Sequence, residues 1–252
     1  MASMPTVVFL LDIDNTLLDN DSVERDLRAH LREAFGDQAE ARYWAIFEEL
    51  RAELGYADYL GALQRYRVEH PRDPGLLKLS LFLINYPFSE RLFPGAIGAV
   101  ERLRGVGPAV LLSDGDVVFQ PRKAERSGLW EAVGGNVLIY IHKEQMLDDV
   151  ELRYPARHYV MVDDKVRILA AMKDIWRERL TTVFVRQGKY ARDPRFAVDY
   201  EPDITLGGIG DVLRLDGEQL MAAAKQADAR RDDGIARALG AQAPAAGGAG
   251  AY

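Results

Sequence analysis

Six short apolar runs constrain this chain more than any other feature. They are Val7–Leu11, Ala109–Leu112, Val137–Ile141, Tyr159–Val162, Thr182–Val185 and a less apolar one around Ile204. Several are unbroken by polar residues, the pattern of parallel strands buried on both faces. Helical patterns separate them. One runs from Pro94 to Arg104, with apolar Ile97, Val100 and Leu103. Another spans Pro121 to Ser127, with proline in the first turn and Gly128 just past the end. A third, Val166 to Arg179, sets Ile168, Leu169, Met172 and Trp176 along one face. Strand and helix in alternation predict an α/β fold built on a doubly wound parallel sheet.

The alternation stops between about Ser22 and Tyr86, where helical patterns follow one another without a strand. The first opens with Asp21 and Glu24 at capping-box spacing, continues through Val23, Leu27, Leu31 and Phe35, and stops at Gly36. Ala39 to Leu54 follows and ends at Gly55; Tyr56 to Val68 ends near His70-Pro71; Leu76 to Ile84 is short and very apolar. These four helices read as an insertion between the first and second strands, and the chain rejoins the α/β layer near Phe93-Pro94-Gly95. The expected organisation is therefore an α/β core from residues 1–20 and 88–216, with an all-helical cap from 21–87. A C-terminal helix is expected over 217–239, roughly Glu218 to Leu239. The Ala/Gly-rich stretch 240–252 has the composition of a disordered tail. No internal repeat is present.

Composition removes several classes of function. The chain of 252 residues carries a formal charge of -7, so a basic field for nucleic acid is not expected. With no cysteine it has no disulfide, thiolate metal site or cysteine nucleophile. The apolar run at Val7 stops at Asp12, too short for a signal-peptide core, and no run approaches the roughly 20 residues of a membrane span. A cytoplasmic protein without membrane partners is expected.

Polar residues gather where the apolar runs end. The first run leads into Asp12-Ile13-Asp14-Asn15-Thr16. Carboxylates two apart on an extended segment point the same way, so Asp12 and Asp14 can face one site. The second leads into Ser113-Asp114-Gly115-Asp116, a turn whose hydroxyl and backbone N–H groups can cradle an anion. The third leads into His142-Lys143, an ammonium able to balance phosphate charge, and the fourth into Asp163-Asp164. Adjacent carboxylates repel and favour a partner cation, and hard oxygen donors suit Mg²⁺. Each segment alone reads equally well as a polar turn, a surface lysine or a helix cap. In open α/β sheets, however, ligands bind outside the carboxyl ends of the strands, and here four successive ends carry Asp, Ser, Lys and Asp-Asp.

In these motifs the sequence resembles the haloacid dehalogenase-like hydrolase superfamily over roughly residues 6 to 215. The resemblance implies a Rossmann-like core, a helical cap between the first two motifs, and phosphoric monoester hydrolysis. It implies that Asp12 attacks phosphorus and forms an aspartyl-phosphate, while Asp14 protonates the leaving oxygen and then activates water. It implies Mg²⁺ held by the Asp12 carboxylate, the Asp14 carbonyl, Asp164 and Asp163. Phosphate oxygens would be held by the Ser113-Asp114-Gly115 turn and Lys143, and Asn15 and Thr16 would shape the turn carrying Asp14. Lys143 is followed by Glu144 where the superfamily often has proline, and Lys123 ranks behind it for the same role.

Halide-releasing relatives attack carbon with the same first aspartate and need neither a metal nor a second acid. Asp14 and the Asp163-Asp164 pair therefore favour phosphorus over a 2-haloacid. A phosphomutase shares these carboxylates, and a non-catalytic binding protein is the remaining reading on this fold. The expected substrate is a small phosphorylated metabolite selected by the cap. Tyr56, Tyr59, Arg65, Tyr66 and Arg67 are the cap residues considered, with Tyr59 and Tyr66 read as packing. The loop Arg186-Gln187-Gly188-Lys189-Tyr190 is expected to border the entrance.

Overall fold

All six expected strands form, and they join in one parallel sheet ordered β3-β2-β1-β4-β5-β6. The computed structural model describes residues 5–215; the helix expected over 217–239 and the tail over 240–252 lie outside the described residues. The strands are β1 (Val7–Leu11), β2 (Ala109–Asp114), β3 (Val137–Tyr140), β4 (His158–Asp163), β5 (Leu180–Val185) and β6 (Ile204–Leu206). Helices α1 (Asn20–Phe35), α2 (Asp37–Leu54), α3 (Tyr59–Glu69) and α4 (Leu76–Asn85) form the insertion. The crossovers of the core hold α5 (Ala96–Arg104), α6 (Phe119–Arg126), α7 (Leu129–Ala132), α8 (Leu147–Arg153), α9 (Val166–Trp176) and α10 (Gly188–Arg192). No described helix is long and apolar enough to cross a membrane.

The unbroken apolar strands supply both faces of the sheet, because successive side chains point opposite ways. Val7, Phe9 and Leu11 pack with α5, α6 and the insertion, whereas Val8 and Leu10 pack with α8 and α9. The insertion thus shares one hydrophobic cluster with the core and is not a separate globule. Tyr59 of α3 meets Phe119 of α6 with ring centroids 5.3 Å apart. The two connections to the insertion run side by side: Asp19 N–H donates to Arg91 O at 2.7 Å and Phe93 N–H to Leu17 O at 3.0 Å.

Helix boundaries differ from the sequence reading in ways that matter for the site. Asp19, not Asp21, caps α1, accepting from Ser22 N at 2.9 Å. Asp21 falls inside the first turn, where its carboxylate accepts instead from Asn15 Nδ2 at 3.1 Å and Lys189 N at 2.7 Å. α3 starts at Tyr59 rather than Tyr56 because Asp58 caps it through Gly61 N, at 2.6 Å. α6 starts two residues before Pro121, since Asp116 Oδ1 accepts from Val118 N and Phe119 N at 2.9 and 2.7 Å. That early start brings Phe119 and Gln120 into the helix. α9 stops at Trp176, and a 3₁₀ turn begins at Arg177, whose φ is 49°.

Candidate active site

β1 is central, and its last residue is in register with Leu111 of β2 and Val162 of β4. The chain goes to one side of β1 for β2 and β3 and returns on the other for β4, so the residues after Leu11 enter a topological switch point. Asp12 extends the ladder by donating its N–H to Val162 O at 3.0 Å. A tight turn follows in which Ile13 O accepts from Leu17 N and Leu18 N at 2.9 and 3.0 Å. Asn15 carries this turn at φ 62°, a region asparagine tolerates. The turn brings Thr16 back beneath Asp12: its Oγ1 donates to Asp12 Oδ2 at 3.1 Å and accepts from Asp164 N at 3.0 Å.

Four of the expected residues form one buried charge cluster. Lys143 Nζ donates to Asp12 Oδ1 at 2.6 Å and to Leu112 O at 3.2 Å. Asp163 Oδ2 lies 2.7 Å from the same ammonium, an ion pair without hydrogen-bond alignment. Burial works against the ionised form of Asp12, but Lys143 and Lys165 beside it hold its pKa below the ordinary value. Burial likewise opposes the charged form of Lys143, and Asp12 and Asp163 overcome it, raising its pKa. Asp163 and Asp164 are pushed up, chiefly by desolvation. An unpaired charge in such surroundings costs on the order of several kcal/mol.

Asp163 and Asp164 differ in what they already hold. Asp163 Oδ1 accepts from Lys165 N at 2.7 Å, and its other oxygen faces Lys143. Both carboxylate oxygens of Asp164 are buried without a hydrogen-bond partner. Asp12, Asp163 and Asp164 each place an oxygen within 4.8 Å of the others. Three hard anionic donors, two oxygens of one of them unsatisfied, suit a divalent cation such as Mg²⁺.

Asp14 sits apart from that cluster, its side chain 21% exposed. Lys123 of α6 reaches it from the other side, with Nζ 2.5 Å from Asp14 Oδ1 and 3.0 Å from Asn20 Oδ1. Gln120, one turn earlier, donates Nε2 to Asp14 Oδ2 at 3.1 Å, Ser113 Oγ at 3.0 Å and Asp114 O at 3.1 Å. Lys123 therefore serves Asp14, while Lys143 holds the position beside Asp12. Gln120 escaped the sequence reading. Both face inward with Phe119 and Ala124, so helical spacing from Phe119 is the signal that a charged-looking segment hides buried polar residues.

The Ser113-Asp114-Gly115 turn differs from the expected phosphate cradle. Asp114 Oδ1 accepts from Lys143 N at 2.7 Å and so fixes the backbone that presents the lysine. Desolvation raises the Asp114 pKa. The Gly115 N–H donates to Tyr140 O at 2.9 Å and is engaged in the sheet edge. A Cβ at Gly115 would lie 2.3 Å from Gln120 Cγ, so glycine here makes room for the residue that links Ser113 to Asp14. Ser113 Oγ remains beside Asp14 through that link.

A cavity of about 150 Å³ opens over Asp14 and Asp114, walled by Phe47, Arg51 and Tyr56 of the insertion and by Lys165 of the core. Lys189 and Tyr190 border it, as expected of their loop. Gln187 anchors that loop by donating to Thr16 O at 2.6 Å and accepting from Ile209 N at 2.9 Å. Arg65 pairs with Glu53 on the surface, and neither it nor Arg67 reaches the cavity. Tyr59 and Tyr66 are buried, Tyr59 Oη accepting from Asn20 Nδ2 at 3.2 Å.

A family model described as haloacid dehalogenase-like hydrolase matches residues 6–176, a span that carries every strand-end motif above. The chain belongs to the haloacid dehalogenase-like hydrolases. Among solved structures, this hydrolase is 64% identical to a haloacid dehalogenase-like hydrolase from Burkholderia xenovorans LB400, with a TM-score of 0.80 covering 84% of this chain and 100% of that one. Its fold also matches the magnesium-bound HAD-hydrolase YfnB from Bacillus subtilis, at 15% identity and TM-score 0.56 over 83% and 98% of the two chains. An L-2-haloacid dehalogenase from Xanthobacter autotrophicus with chloropropionic acid covalently bound matches at 18% identity and TM-score 0.54, over 84% and 98%. No curated protein matches the chain in sequence.

Proposed function

We propose that this hydrolase is a Mg²⁺-dependent phosphatase of small phosphorylated metabolites, working through an aspartyl-phosphate on Asp12. The fold likeness reaches both a magnesium-bound HAD-hydrolase and an L-2-haloacid dehalogenase and does not choose between them. The observation that carries the choice is Asp164, a fully buried carboxylate with both oxygens unpartnered next to the nucleophile. Halide release needs no divalent cation, so three clustered carboxylates with one of them unpartnered favour the metal-assisted reaction.

Asp12 is ionised by Lys143 and steadied by Thr16, so it can attack phosphorus while the bond to the leaving oxygen breaks. Lys143 stays within reach of the transferring oxygens and offsets their charge. Asp14, oriented by Lys123 and Gln120, gives its proton to the leaving oxygen. It then takes a proton from the water that attacks the aspartyl-phosphate, which returns Asp12 and releases phosphate. Mg²⁺ would be held by Asp12 and Asp164, with the Asp14 carbonyl as the family resemblance implies and Asp163 tied to Lys143, and would supply further neutralisation of the phosphoryl charge.

The test joins binding to turnover. Mg²⁺ should raise the melting temperature of the wild type, by linkage, and Asp164→Asn should remove that shift. Hydrolysis of an aryl phosphate should stop in EDTA and in Asp12→Asn, and should fall at least about 10²-fold in Asp14→Asn. Metal-independent halide release from 2-chloropropionate, with full activity in Asp14→Asn, would establish the dehalogenase instead.

A further inference from the structure

We propose that the substrate carries a second anionic group, a carboxylate or a phosphate, on the part of the molecule that leaves, and that Arg51, Lys165 and Arg167 receive it. This rests on the phosphatase reading and adds the class of leaving group.

The cavity holds the leaving-group side of the reaction, because Asp14, the acid that protonates the leaving oxygen, lines it. Its charges do not balance internally. Around the Tyr190 ring stand three cations: Lys165 Nζ at 5.1 Å from the centroid, Lys189 Nζ at 5.6 Å and the Arg51 guanidinium carbon at 5.7 Å. Arg167 lines the same cavity. Like charges gathered around one ring repel unless an anion joins them, and the repulsion grows where protein replaces water.

The carboxylates that line the cavity are already committed. Glu24 takes Lys189 at 2.5 Å, Asp14 takes Lys123, and Asp114 takes the Lys143 N–H. Arg51 is left with Glu48 at 3.8 Å, a pair on the outer surface, and with a hydrogen bond to Tyr190 Oη. The side chains of Lys165 and Arg167 have no ion pair or hydrogen bond to a described residue. The negative charge nearest Lys165 belongs to Asp12, Asp164 and Asp163, the carboxylates that suit a divalent cation.

Arg51 comes from the insertion, whereas Lys165 and Arg167 follow β4 of the core. An anion among them joins the two parts and closes the cavity over the ester. Arginine suits either a carboxylate or a phosphate through its planar fork of donors. The small cavity favours a compact metabolite.

The experiment is a matched series of short alkyl phosphomonoesters whose far ends carry a carboxylate, a phosphate, a hydroxyl or an ammonium. The anionic ends should exceed the hydroxyl in kcat/KM by at least about tenfold, the scale of one charge-assisted hydrogen bond, with the ammonium last. Arg51→Gln and Arg167→Gln should each lower the anionic-to-neutral ratio about tenfold, mainly through KM. Calorimetric binding of the same esters to Asp12→Asn gives the preference without turnover, and melting curves check that both arginine variants fold. The order of carboxylate and phosphate identifies which anion the site is built for. Equal rates on all four ends, or ratios unmoved in both variants, overturn this proposal and leave the phosphatase standing. Failure to hydrolyse any ester overturns both.

Discussion

The two carboxylates at the end of β1 sit two residues apart and are held by different parts of the molecule. Asp12 belongs to a cluster assembled from strand ends, in which Lys143, Asp163 and Asp164 are wholly buried. Asp14 is held by α6, through Lys123 and Gln120, with Lys123 steadied in turn by Asn20 at the start of α1, and it opens on the cavity. The first setting fixes a permanent charge. The second presents a group that meets solvent and substrate. A nucleophile needs the former and a proton carrier the latter, so one short turn serves both by giving its two carboxylates different partners.

The difference is measurable, and its largest consequence lies on the Asp12 side. Lys143→Met removes the one cation among the described residues that is hydrogen-bonded to Asp12 and leaves three buried carboxylates together. Stability should fall by about 3–5 kcal/mol in denaturant titrations. The sign of its pH dependence follows from Asp163 and Asp164, whose pKa values are raised in the folded state. Groups with raised carboxyl pKa bind more protons folded than unfolded, so the metal-free variant should regain stability as pH falls from 7 toward the ordinary value of 3.8. A stability deficit that is flat or widens over that window breaks the contrast between the two settings.

On the Asp14 side the same type of change should be milder for folding and visible in turnover. Lys123→Met leaves Asp14 with Gln120 and solvent, and kcat should drop about 10–100-fold with KM little changed. Stability should fall by roughly 1–3 kcal/mol, the scale of a lost charged hydrogen bond. A loss of stability equal to that of Lys143→Met would show that the two halves are one buried network.

The smallest effect tests the turn that separates them. Gly188 lies at φ 71°, and a Cβ there would come within 2.4 Å of Asn15 Cβ. Gly188→Ala should cost about 1–2 kcal/mol from its backbone conformation alone and should shift the turn that carries Asp14. Steady-state kinetics should show a lower kcat with a smaller loss of Mg²⁺ affinity, since of the groups that would hold the ion only the Asp14 carbonyl rides on this turn. A matching loss of metal affinity would join the two regions again.

Much of the Asp12 half was legible along the chain. Parallel strands buried on both faces leave continuous apolar runs, and the polar residues that end them must gather at one sheet edge. Asp12, Lys143, Asp163 and Asp164 come together in this way. The Asp14 half was harder to read. Lys123 lies in the segment Gln120-Pro121-Arg122-Lys123-Ala124-Glu125-Arg126, which resembles a solvated helix face. Its burial depends on how α6 rotates when Phe119 packs against Tyr59 and Phe88. The reading of Asp21 as a cap failed for a related reason, because Asn15, outside the helix, and the Lys189 N–H, distant in sequence, claim its carboxylate.

The sequence by itself determined which acids stand at the end of the central strand and in what order the other strand ends bring hydroxyl, ammonium and paired carboxylates to them. Period-two side-chain alternation and the parallel crossover rule act within a few residues, and both are written locally. Only the tertiary structure decided that Asp163 is already tied to Lys143 while Asp164 keeps two oxygens unpartnered, that Lys123 belongs to Asp14, and that the Gly115 N–H is engaged. Those outcomes depend on how helices and strands far apart in the chain pack, and hydrogen-bond partners chosen across such distances leave no periodic trace in sequence.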